Sequence, residues 1–325
     1  MVIFGAWALG GGYWGAADDE ASVAAIRAGL DAGIDALDTA PIYGLGRSEQ
    51  VVGRAIAGRR DEIRLLTKVG LRWDCPDGQF FLEGQGADGR PFKVFRNSRP
   101  ESVRLEVERS LVRLGVERLD LCQVHWHDDT TPVADTMGAL AELIDAGKIA
   151  AAGVSNYDAA QVEQARAGLG RHPLASNQVK YSLAAREIEN DVLPACRARN
   201  VAVLAYSPLE QGLLTGKVGP GRSFGADEGR SRRPTFEARN RAAVNAVLQR
   251  VVAPVAAAHG ASLAQVVIAW TVAQPGLTAA IVGARTPQQA RENAGAGDLL
   301  LTGDELAAID AAFAGLELSL PEAAS

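Results

Sequence analysis

Eight short apolar runs, separated by helix-forming segments, constrain the fold of this chain more than any other feature. The runs are rich in Val, Ile, Leu and Ala without polar alternation, and they cover residues 2–9, 34–37, 63–67, 119–124, 149–154, 175–179, 201–205 and 278–282. Strands buried on both faces of a parallel sheet have this composition. Eight alternating strand–helix units are typical of a closed barrel, so we predict an α/β fold: an eight-stranded parallel (β/α)8 TIM barrel with extra helices and long loops.

A doubly wound open sheet is the alternative. That fold binds dinucleotides with a glycine-rich loop between its first strand and helix. Here Gly10, Gly11 and Gly12 follow the first run, but no helix begins at the required spacing, and no acidic partner stands about twenty residues further on. The barrel is therefore favoured.

The composition narrows the function classes. The chain has 325 residues, of which 47% are hydrophobic and 22% charged, and we expect a single domain over residues 1–325. A net charge of −6 without basic clusters excludes a nucleic-acid-binding footprint from the overall balance. No apolar run reaches the roughly 20 residues that span a bilayer, and the first residues lack the features of a signal peptide. Because Cys75, Cys122 and Cys196 suit neither a disulfide framework nor a zinc site, we expect a cytoplasmic protein with reduced thiols.

Two long stretches interrupt the strand–helix rhythm. The first, an inserted loop at about 71–99, contains five aromatic residues that argue against disorder, and we expect a hairpin whose turn lies at 86–89. The second lies at about 211–233. Since loops of this length in a barrel are usually functional, we expect both to border the site.

Polar side chains stand where several strands end. Asp38 and Lys68 end the second and third strands, His125 follows the fourth, and Tyr43 lies in the loop after the second. In the same loop Ser48 is predicted to cap a helix that runs to about residue 57. The later strands carry Ser155, Asn156, Gln178, Tyr206 and Ser207 at or near their ends. Since the carboxyl ends of barrel strands share one rim, we expect one site there.

This set of residues suits proton transfer. A phenol has a pKa of about 10 in water, and a nearby ammonium lowers it. Lys68 is expected to act in this way on Tyr43, while Asp38 orients Lys68 and His125 donates a hydrogen bond to the substrate oxygen. Such a donor serves carbonyl reduction or alcohol oxidation, and the hydride must come from a cofactor because no side chain supplies one.

Seven segments, in order and spacing, carry a family resemblance over nearly the whole chain. They are FGAWALGG, DTAPIYGLGRSEQVVG, LLTKVG, LDLCQVHW, LIDAGKIAAAGVSN, AYSPLEQGLLTGK and IVGARTPQQAREN. The sequence resembles the aldo-keto reductases. The resemblance implies a (β/α)8 barrel, a nicotinamide cofactor bound without a Rossmann domain, and a catalytic tetrad at Asp38, Tyr43, Lys68 and His125.

The resemblance also implies the cofactor contacts. Ser155, Asn156 and Gln178 match the residues that hold the carboxamide, and Tyr206 matches the aromatic that stacks on the nicotinamide. The loop over the pyrophosphate corresponds to Ser207, Pro208, Leu209, Gln211, Gly212 and Lys217. The remaining matches are Gly283 and, at the adenosine end, Arg285, Gln289, Glu292 and Asn293. Because Arg285 precedes a helix N-terminus that suits a 2′-phosphate, NADP(H) is expected, with NAD(H) as the alternative. One of Arg232 and Arg233 is also expected to reach the cofactor.

The chain departs from the family pattern at its start. Relatives begin with a β-hairpin that plugs the barrel floor, and this chain is expected to lack it. The inserted loop is longer than in many relatives, so we expect it to shape the substrate pocket, with Trp14, Trp73, Phe95 and Trp126 as walls. Such a pocket suits sugars, aromatic aldehydes or ketones alike, and it leaves the direction of the reaction open.

Three other functions compete with an NADP(H)-dependent reductase. His125 and His127 form an HxH pair that could bind a metal, but other strand ends offer too few ligands, so no metal is expected. A cofactor-binding regulatory subunit with weak turnover is a second alternative, and an NAD-dependent sugar or alcohol dehydrogenase is a third. The complete set of four polar residues favours an enzyme that acts on a small carbonyl or alcohol. We expect neither a nucleic-acid partner nor a membrane.

Overall fold

Eight parallel strands close into a barrel in the computed structural model, which describes residues 1–15, 17–86, 89–225 and 228–319. Within these residues the strands in chain order are β1 Val2–Gly5, β2 Ala36–Asp38, β3 Arg64–Val69, β4 Leu71–Arg72, β5 Gln79–Gln85, β6 Pro91–Arg96, β7 Leu121–Val124, β8 Ala152–Ser155, β9 Leu174–Lys180, β10 Ala202–Tyr206 and β11 Leu277–Gly283. The barrel order is β1-β11-β10-β9-β8-β7-β3-β2, and β4, β6 and β5 form a separate sheet. The predicted (β/α)8 barrel is confirmed.

Helices surround the barrel. They are α1 Asp19–Asp31, α2 Arg47–Ile56, α3 Pro100–Leu114, α4 Val133–Asp145, α5 Ala159–Gly168, α6 Val192–Ala198, α7 Ala238–Val247, α8 Ala253–Ala258, α9 Leu263–Ala273, α10 Pro287–Ala294 and α11 Gly303–Ala314. In α1, Val23, Ile26 and Leu30 recur at helical spacing and are all buried in the core between barrel and helices.

The barrel interior is layered, and the layers position the polar residues. Ala36 and Leu66 belong to a small apolar cluster together with Ile3 and Ile281. Alternate residues of a strand face the same side. Asp38 therefore shares the inward face with Ala36 on β2, just as Lys68 does with Leu66 on β3. Polar groups thus lie one layer above the apolar filling, at the carboxyl end of the barrel.

Two local predictions in the first quarter of the chain were wrong. The first strand ends at Gly5 rather than near residue 9, because a 3-10 turn at Trp7–Gly10 follows it. The N-cap of α2 is Gly46, at φ 98°, and not Ser48. Ser48 lies inside the helix, where its buried hydroxyl bonds to Ala6 O and Thr39 Oγ1 and so ties α2 to the barrel.

Proline divides the helical region between residues 238 and 258. A π-helical turn at Leu248–Val252 separates α7 from α8, and Pro254 lies in the first turn of α8. Proline has no N–H for the bond to the preceding turn, so the helical ladder is displaced there. The helical region at 187–198 similarly divides into a 3-10 turn, Glu187–Glu189, and α6.

The inserted loop forms an antiparallel sheet, here called the hairpin sheet (β4, β5 and β6). β6 pairs with β5 over most of its length and with β4 at Arg96 and Phe95. The predicted hairpin is present, although Ala87 and Asp88 of its turn lie outside the described residues. β5 carries a bulge between Phe80 and Leu82.

In the described part of the chain, no single helix is both long and apolar enough to cross a membrane. The two helical segments Ala238–Ala258 and Leu263–Ala273, which are bent by 89° at their junction, reach that length and apolar composition only when they are counted together.

Candidate active site

Lys68 lies at the centre of the polar layer. Its side chain is fully buried, and its Nζ lies 2.7 Å from Asp38 Oδ1, 3.0 Å from Thr39 O and 3.3 Å from Tyr43 Oη. An ammonium has three N–H donors, so these three acceptors saturate it. The structure therefore brings together the carboxylate, ammonium and phenol that the sequence predicted as one group.

The strand register and one tight loop contact set this geometry. Asp38 pairs with Leu66 on β3, so Lys68 stands one inward position further along the neighbouring strand. Tyr43 is held by the turn that follows, where Gly44 has φ 64° and a Cβ on it would lie 2.3 Å from Gly10 O. Only glycine allows the loop of Tyr43 to approach the loop after β1 this closely.

The electrostatic balance keeps Tyr43 protonated. Burial raises the pKa of its phenol above the usual value of 10, and this outweighs the lowering effect of Lys68. The sequence-based expectation of a lowered pKa is therefore not met, because desolvation is the larger effect. Burial lowers the pKa of Lys68, but Asp38 and Tyr43 together raise it further, so the ammonium stays charged.

His125 completes the polar layer as a neutral imidazole. It is buried directly after β7, and its ring lies edge-on to Tyr43, with the ring centroids 5.8 Å apart. Burial and the charge of Lys68 hold the pKa of His125 well below its usual 6.5. An uncharged ring nitrogen therefore stands beside the phenol.

The residues predicted to hold the carboxamide form one hydrogen-bonded chain. Ser155 Oγ donates to Gln178 O, and Gln178 Nε2 donates to Asp38 Oδ2 at 2.8 Å. Asn156, at φ 60°, donates from Nδ2 to His125 O and Ser155 Oγ. Its Oδ1 accepts from Tyr206 Oη at 2.9 Å. These contacts join the predicted cofactor residues of β8, β9 and β10 to the tetrad.

The backbone after β10 is unusual over several consecutive residues. Positive φ angles occur at Ser207, Glu210, Gln211 and Gly212. Glu210 is buried and anchors this turn, because it accepts a hydrogen bond from Ser182 and pairs with Lys180. Non-glycine residues adopt this conformation rarely, and clusters of it mark functional loops. Pro208 and Leu209 complete the turn.

The predicted adenosine-end residues gather around the start of α10. Thr286 caps this helix, and Gln289 Oε1 accepts from the backbone N–H of Arg285. Asn293 Nδ2 donates to Gly283 O, so the end of β11 is tied to the helix. Lys217, from the loop after β10, pairs with Glu292 at 3.2 Å. The two loops that would flank a dinucleotide are thus already linked.

A segment that we call the strap, residues 211–233 where described, reaches the loop after β1. Tyr13 Oη donates to Gln211 Oε1 at 2.7 Å, and Arg233 lies over the Tyr13 ring. Arg230 lies 5.5 Å from the Trp14 ring, whose backbone carbonyl accepts from Arg285. Sequence reasoning missed Tyr13 and Arg230. The aromatic pair Tyr13–Trp14 directly after three glycines was the available signal.

The four predicted pocket residues do not form a single wall. Trp126 follows His125 and packs against Phe81 of the hairpin sheet at 5.5 Å. Trp14 belongs to a cluster with Trp7 and Tyr13, and Trp7, which sequence reasoning missed, lies 6.4 Å from the ring of Tyr43. Phe95 packs on the exposed Phe80 instead. Trp73 is half-buried after β4.

Buried acids behind the site were also missed. Glu49 of α2 accepts from Thr67 Oγ1 at 2.7 Å and pairs with Arg113, so it braces the residue before Lys68. Glu106 of α3 accepts from the Gly70 N–H at 3.0 Å, and burial raises its pKa to about 7. Neither position looks unusual in an amphipathic helix, so sequence alone gave no signal.

His127, the second histidine of the HxH pair, contacts a neighbouring carboxylate and a tyrosine ring. Its Nδ1 lies 2.9 Å from Asp129 Oδ1, and its ring packs on Tyr157. Among the described residues, no group of three or more His, Cys, Asp and Glu side chains is placed to hold a metal ion.

Comparison with known proteins gives concordant matches. The Aldo/keto reductase family model matches residues 1–314. The aldo-keto reductase YhdN of Bacillus subtilis is 37% identical over 290 residues, covering 89% of this chain and 82% of the relative. The NADH-specific methylglyoxal reductase of Escherichia coli is 36% identical over 298 residues, covering 90% and 88%.

Solved structures agree with these relatives. A glycerol dehydrogenase from Gluconobacter oxydans superposes with a TM-score of 0.85 at 39% identity, over 97% of this chain and 91% of that one. An aldo/keto reductase from Klebsiella pneumoniae in complex with NADP and acetate gives a TM-score of 0.71 at 30% identity, over 100% and 93%.

Proposed function

This chain belongs to the aldo/keto reductase family, and from that premise we propose that Tyr43 is the proton donor and acceptor of its reaction, with Lys68, Asp38 and His125 as its partners. The chain is an oxidoreductase that interconverts carbonyl compounds and alcohols with a nicotinamide cofactor. The observation that carries the residue assignment is the buried contact of Lys68 Nζ with both Asp38 and Tyr43.

The charges on these groups define their roles in carbonyl reduction. Tyr43, protonated at neutral pH, donates its proton to the substrate oxygen. The charged Lys68, 3.3 Å from the phenol oxygen, stabilises the phenolate that remains. Asp38 holds Lys68 in place and balances its charge. His125, being neutral, offers a hydrogen bond to the same substrate oxygen without repelling Lys68. Oxidation of an alcohol uses the same groups in reverse.

The donor set at the barrel mouth fits a nicotinamide dinucleotide. When bound, that cofactor supplies or accepts the hydride. Ser155, Asn156 and Gln178 present hydroxyl and amide groups that suit a carboxamide, and Tyr206 presents an aromatic ring beside them. The positive-φ turn at 207–212 and the start of α10 would hold the phosphates, because backbone N–H groups at such a turn and at a helix N-terminus suit an anion.

We assign cofactor choice to Arg285. It stands before the N-terminus of α10, where a guanidinium suits a 2′-phosphate, so NADP(H) is proposed over NAD(H). Arg285→Ala should weaken NADPH binding about tenfold and NADH binding less than twofold, as read by fluorescence titration. Equal weakening of both cofactors would contradict a role at the 2′-phosphate.

The relatives guide the choice of substrates. Their names point to methylglyoxal and glycerol, which are small and oxygen-rich. The decisive experiment is steady-state turnover of aldehydes, ketones, sugars and polyols with NADPH and NADH in both directions. We expect reduction of small aldehydes with NADPH. Tight NADPH binding without turnover of any carbonyl or alcohol would overturn the residue assignment.

A cytoplasmic location is also proposed, from the cysteines. Cys122 and Cys196 are buried free thiols, and Cys75 is a half-buried one. Unpaired thiols suit a reducing compartment. Fractionation of the native host tests this, and recovery in an oxidising compartment would contradict it.

A further inference from the structure

Arg96 is a cation at the mouth of the site that pairs with no described carboxylate. It ends β6, and its guanidinium carbon lies 4.8 Å from the Phe81 ring centroid and 5.6 Å from that of Trp126. Trp126 is the residue next to His125. Arg96 therefore connects the hairpin sheet to the residue beside the tetrad.

Most of its hydrogen-bonding capacity is uncommitted. A guanidinium has five N–H donors. Nε of Arg96 is buried and has no acceptor among the described residues, and Nη1 makes only a 3.5 Å contact with Gln79 Oε1. A buried donor without an acceptor is costly, so such a position is completed by a ligand that brings acceptors.

The surroundings favour an anion with an apolar body. The bulge in β5 places Phe81 beside Arg96, so two aromatic rings flank the guanidinium. Asp129 lies near enough for Arg96 to lower its pKa slightly. However, the carboxylate oxygens of Asp129 are already bonded to Gln79 and His127 at 3.0 and 2.9 Å. The guanidinium fork therefore remains available.

We propose that Arg96 binds a carboxylate on the carbonyl substrate, so that the enzyme prefers aldehydes or ketones that carry an acid group. This inference rests on the proposed function, because it needs the substrate carbonyl at Tyr43. The planar guanidinium matches both oxygens of a carboxylate. Phe81 and Trp126 would contact the apolar part between the carboxylate and the carbonyl. Arg96 is then a specificity-determining residue for the reaction.

A matched substrate pair tests this directly. The substrates are 4-carboxybenzaldehyde and 4-methylbenzaldehyde, which differ mainly in charge. Arg96→Met keeps an apolar chain against the rings but removes the fork, and we expect it to raise KM for the carboxylated aldehyde about tenfold or more. KM and kcat for the methyl compound should stay within about twofold. Arg96→Lys should restore part of the difference, since it keeps the charge. Arg104→Met, which removes a surface arginine paired with Glu142, is the control and should change neither substrate.

Two outcomes would overturn the proposal. Equal losses with both aldehydes would mean that Arg96 only holds the hairpin sheet on Trp126, and unchanged KM values would place Arg96 outside the substrate site. If neither aldehyde is turned over, the wider panel of carbonyls and alcohols decides on the residue assignment, and a binding measurement tests Arg96 separately. Calorimetric titration of benzoate into NADP-loaded wild type and Arg96→Met should show weaker binding to the variant. Equal affinity would overturn the role of Arg96.

Discussion

The tetrad and the strap are built from different interactions, although they face the same site. In the tetrad, Lys68 of β3 is fully buried and bonded at 2.7–3.3 Å to groups at the end of the neighbouring strand β2 and in the loop after it. In the strap, Arg230 and Arg233 stack on rings at 5.5 Å, Tyr13 Oη donates to Gln211, and Arg230 also pairs with Glu228. Short buried ionic bonds fix a position, whereas stacked cations and exposed loops yield at lower cost. The tetrad is therefore held by fully buried ionic bonds, whereas the strap depends mainly on contacts between rings and cations of two loops.

The backbone supports the same contrast. Asp38 and Lys68 lie on strands that pair in fixed register with a barrel neighbour on each side, so their positions follow from register. The strap begins at a turn with four positive φ angles and contains 3-10 turns instead of long helices. A substitution in the tetrad should thus change chemistry and stability, while one in the strap should change cofactor binding.

Replacing Tyr43 with phenylalanine gives the largest expected effect. Removal of the proton donor should lower kcat for reduction by about 10²–10⁴-fold, with NADPH affinity nearly unchanged. Steady-state kinetics and fluorescence titration measure the two quantities. Tyr157→Phe, at a tyrosine that packs on His127 outside the tetrad, is the matched control. Loss of NADPH binding with Tyr43→Phe would contradict the assignment of proton transfer to the tetrad and of cofactor binding to the strap.

The pH profile sharpens this prediction. The proposed role of Tyr43 in reduction requires a protonated phenol, and burial raises its pKa above 10. We therefore expect kcat/KM for reduction to fall only above pH 10. The titration of His125 should cause no change in kcat/KM near pH 6.5, because its pKa lies well below that value. A marked fall in kcat/KM between pH 7 and 9 would contradict the charge states assigned to the tetrad.

Lys68→Met tests how rigid the tetrad is. Removing one partner of a buried ion pair leaves Asp38 uncompensated, so unfolding free energy should fall by about 3–5 kcal/mol. Adding Asp38→Asn removes the unpaired charge and should recover at least half of that loss. Urea unfolding of the two variants measures both changes. A stability loss below about 1 kcal/mol for Lys68→Met would show that the tetrad is no more rigid than the strap.

Glu106→Gln should remove a pH dependence of stability. The pKa of Glu106 is raised from 4.5 to about 7 in the folded protein. Between these values the folded state holds a proton that the unfolded state releases, so stability falls as pH rises through this window, by up to about 3 kcal/mol. The glutamine variant keeps the acceptor for Gly70 without the titration. Urea unfolding at pH 5 and pH 8 should therefore show a smaller difference for the variant. Glu108→Gln, at an exposed acid paired with Lys148, should leave the wild-type difference in place.

Substitutions in the strap should give the smallest effects. Tyr13→Phe removes the bond to Gln211 and should weaken NADPH binding about two- to tenfold, with little change in unfolding free energy.

Gly229→Ala should have a larger effect on NADPH binding, because a Cβ on Gly229 would lie 1.8 Å from the Tyr13 ring. If either variant instead destabilised the fold as much as Lys68→Met, the strap would belong to the core.

The sequence predicted the barrel and the meeting of Asp38, Lys68 and Tyr43, because strand positions and strand ends follow from periodic patterns. Eight apolar runs specify strands, and strand ends specify where Asp38 and Lys68 meet. The sequence could not predict whether the pKa of Tyr43 is raised or lowered, since this depends on how burial competes with the charge of Lys68. Arg96 and Tyr13 were missed because their partners are distant in sequence and their contacts depend on loop conformation. Ser48 was misassigned because Gly46, with its left-handed φ, begins the helix two residues earlier.

The hydrogen bond from Gln178 to Asp38 joins residues 140 positions apart and crosses the barrel from β9 to β2. During synthesis, the first half of the chain therefore emerges with one oxygen of its buried carboxylate still without this donor. Only closure of the barrel by the later strands supplies the amide. The hydrogen bonding of Asp38 is thus completed only once the later strands have joined the barrel.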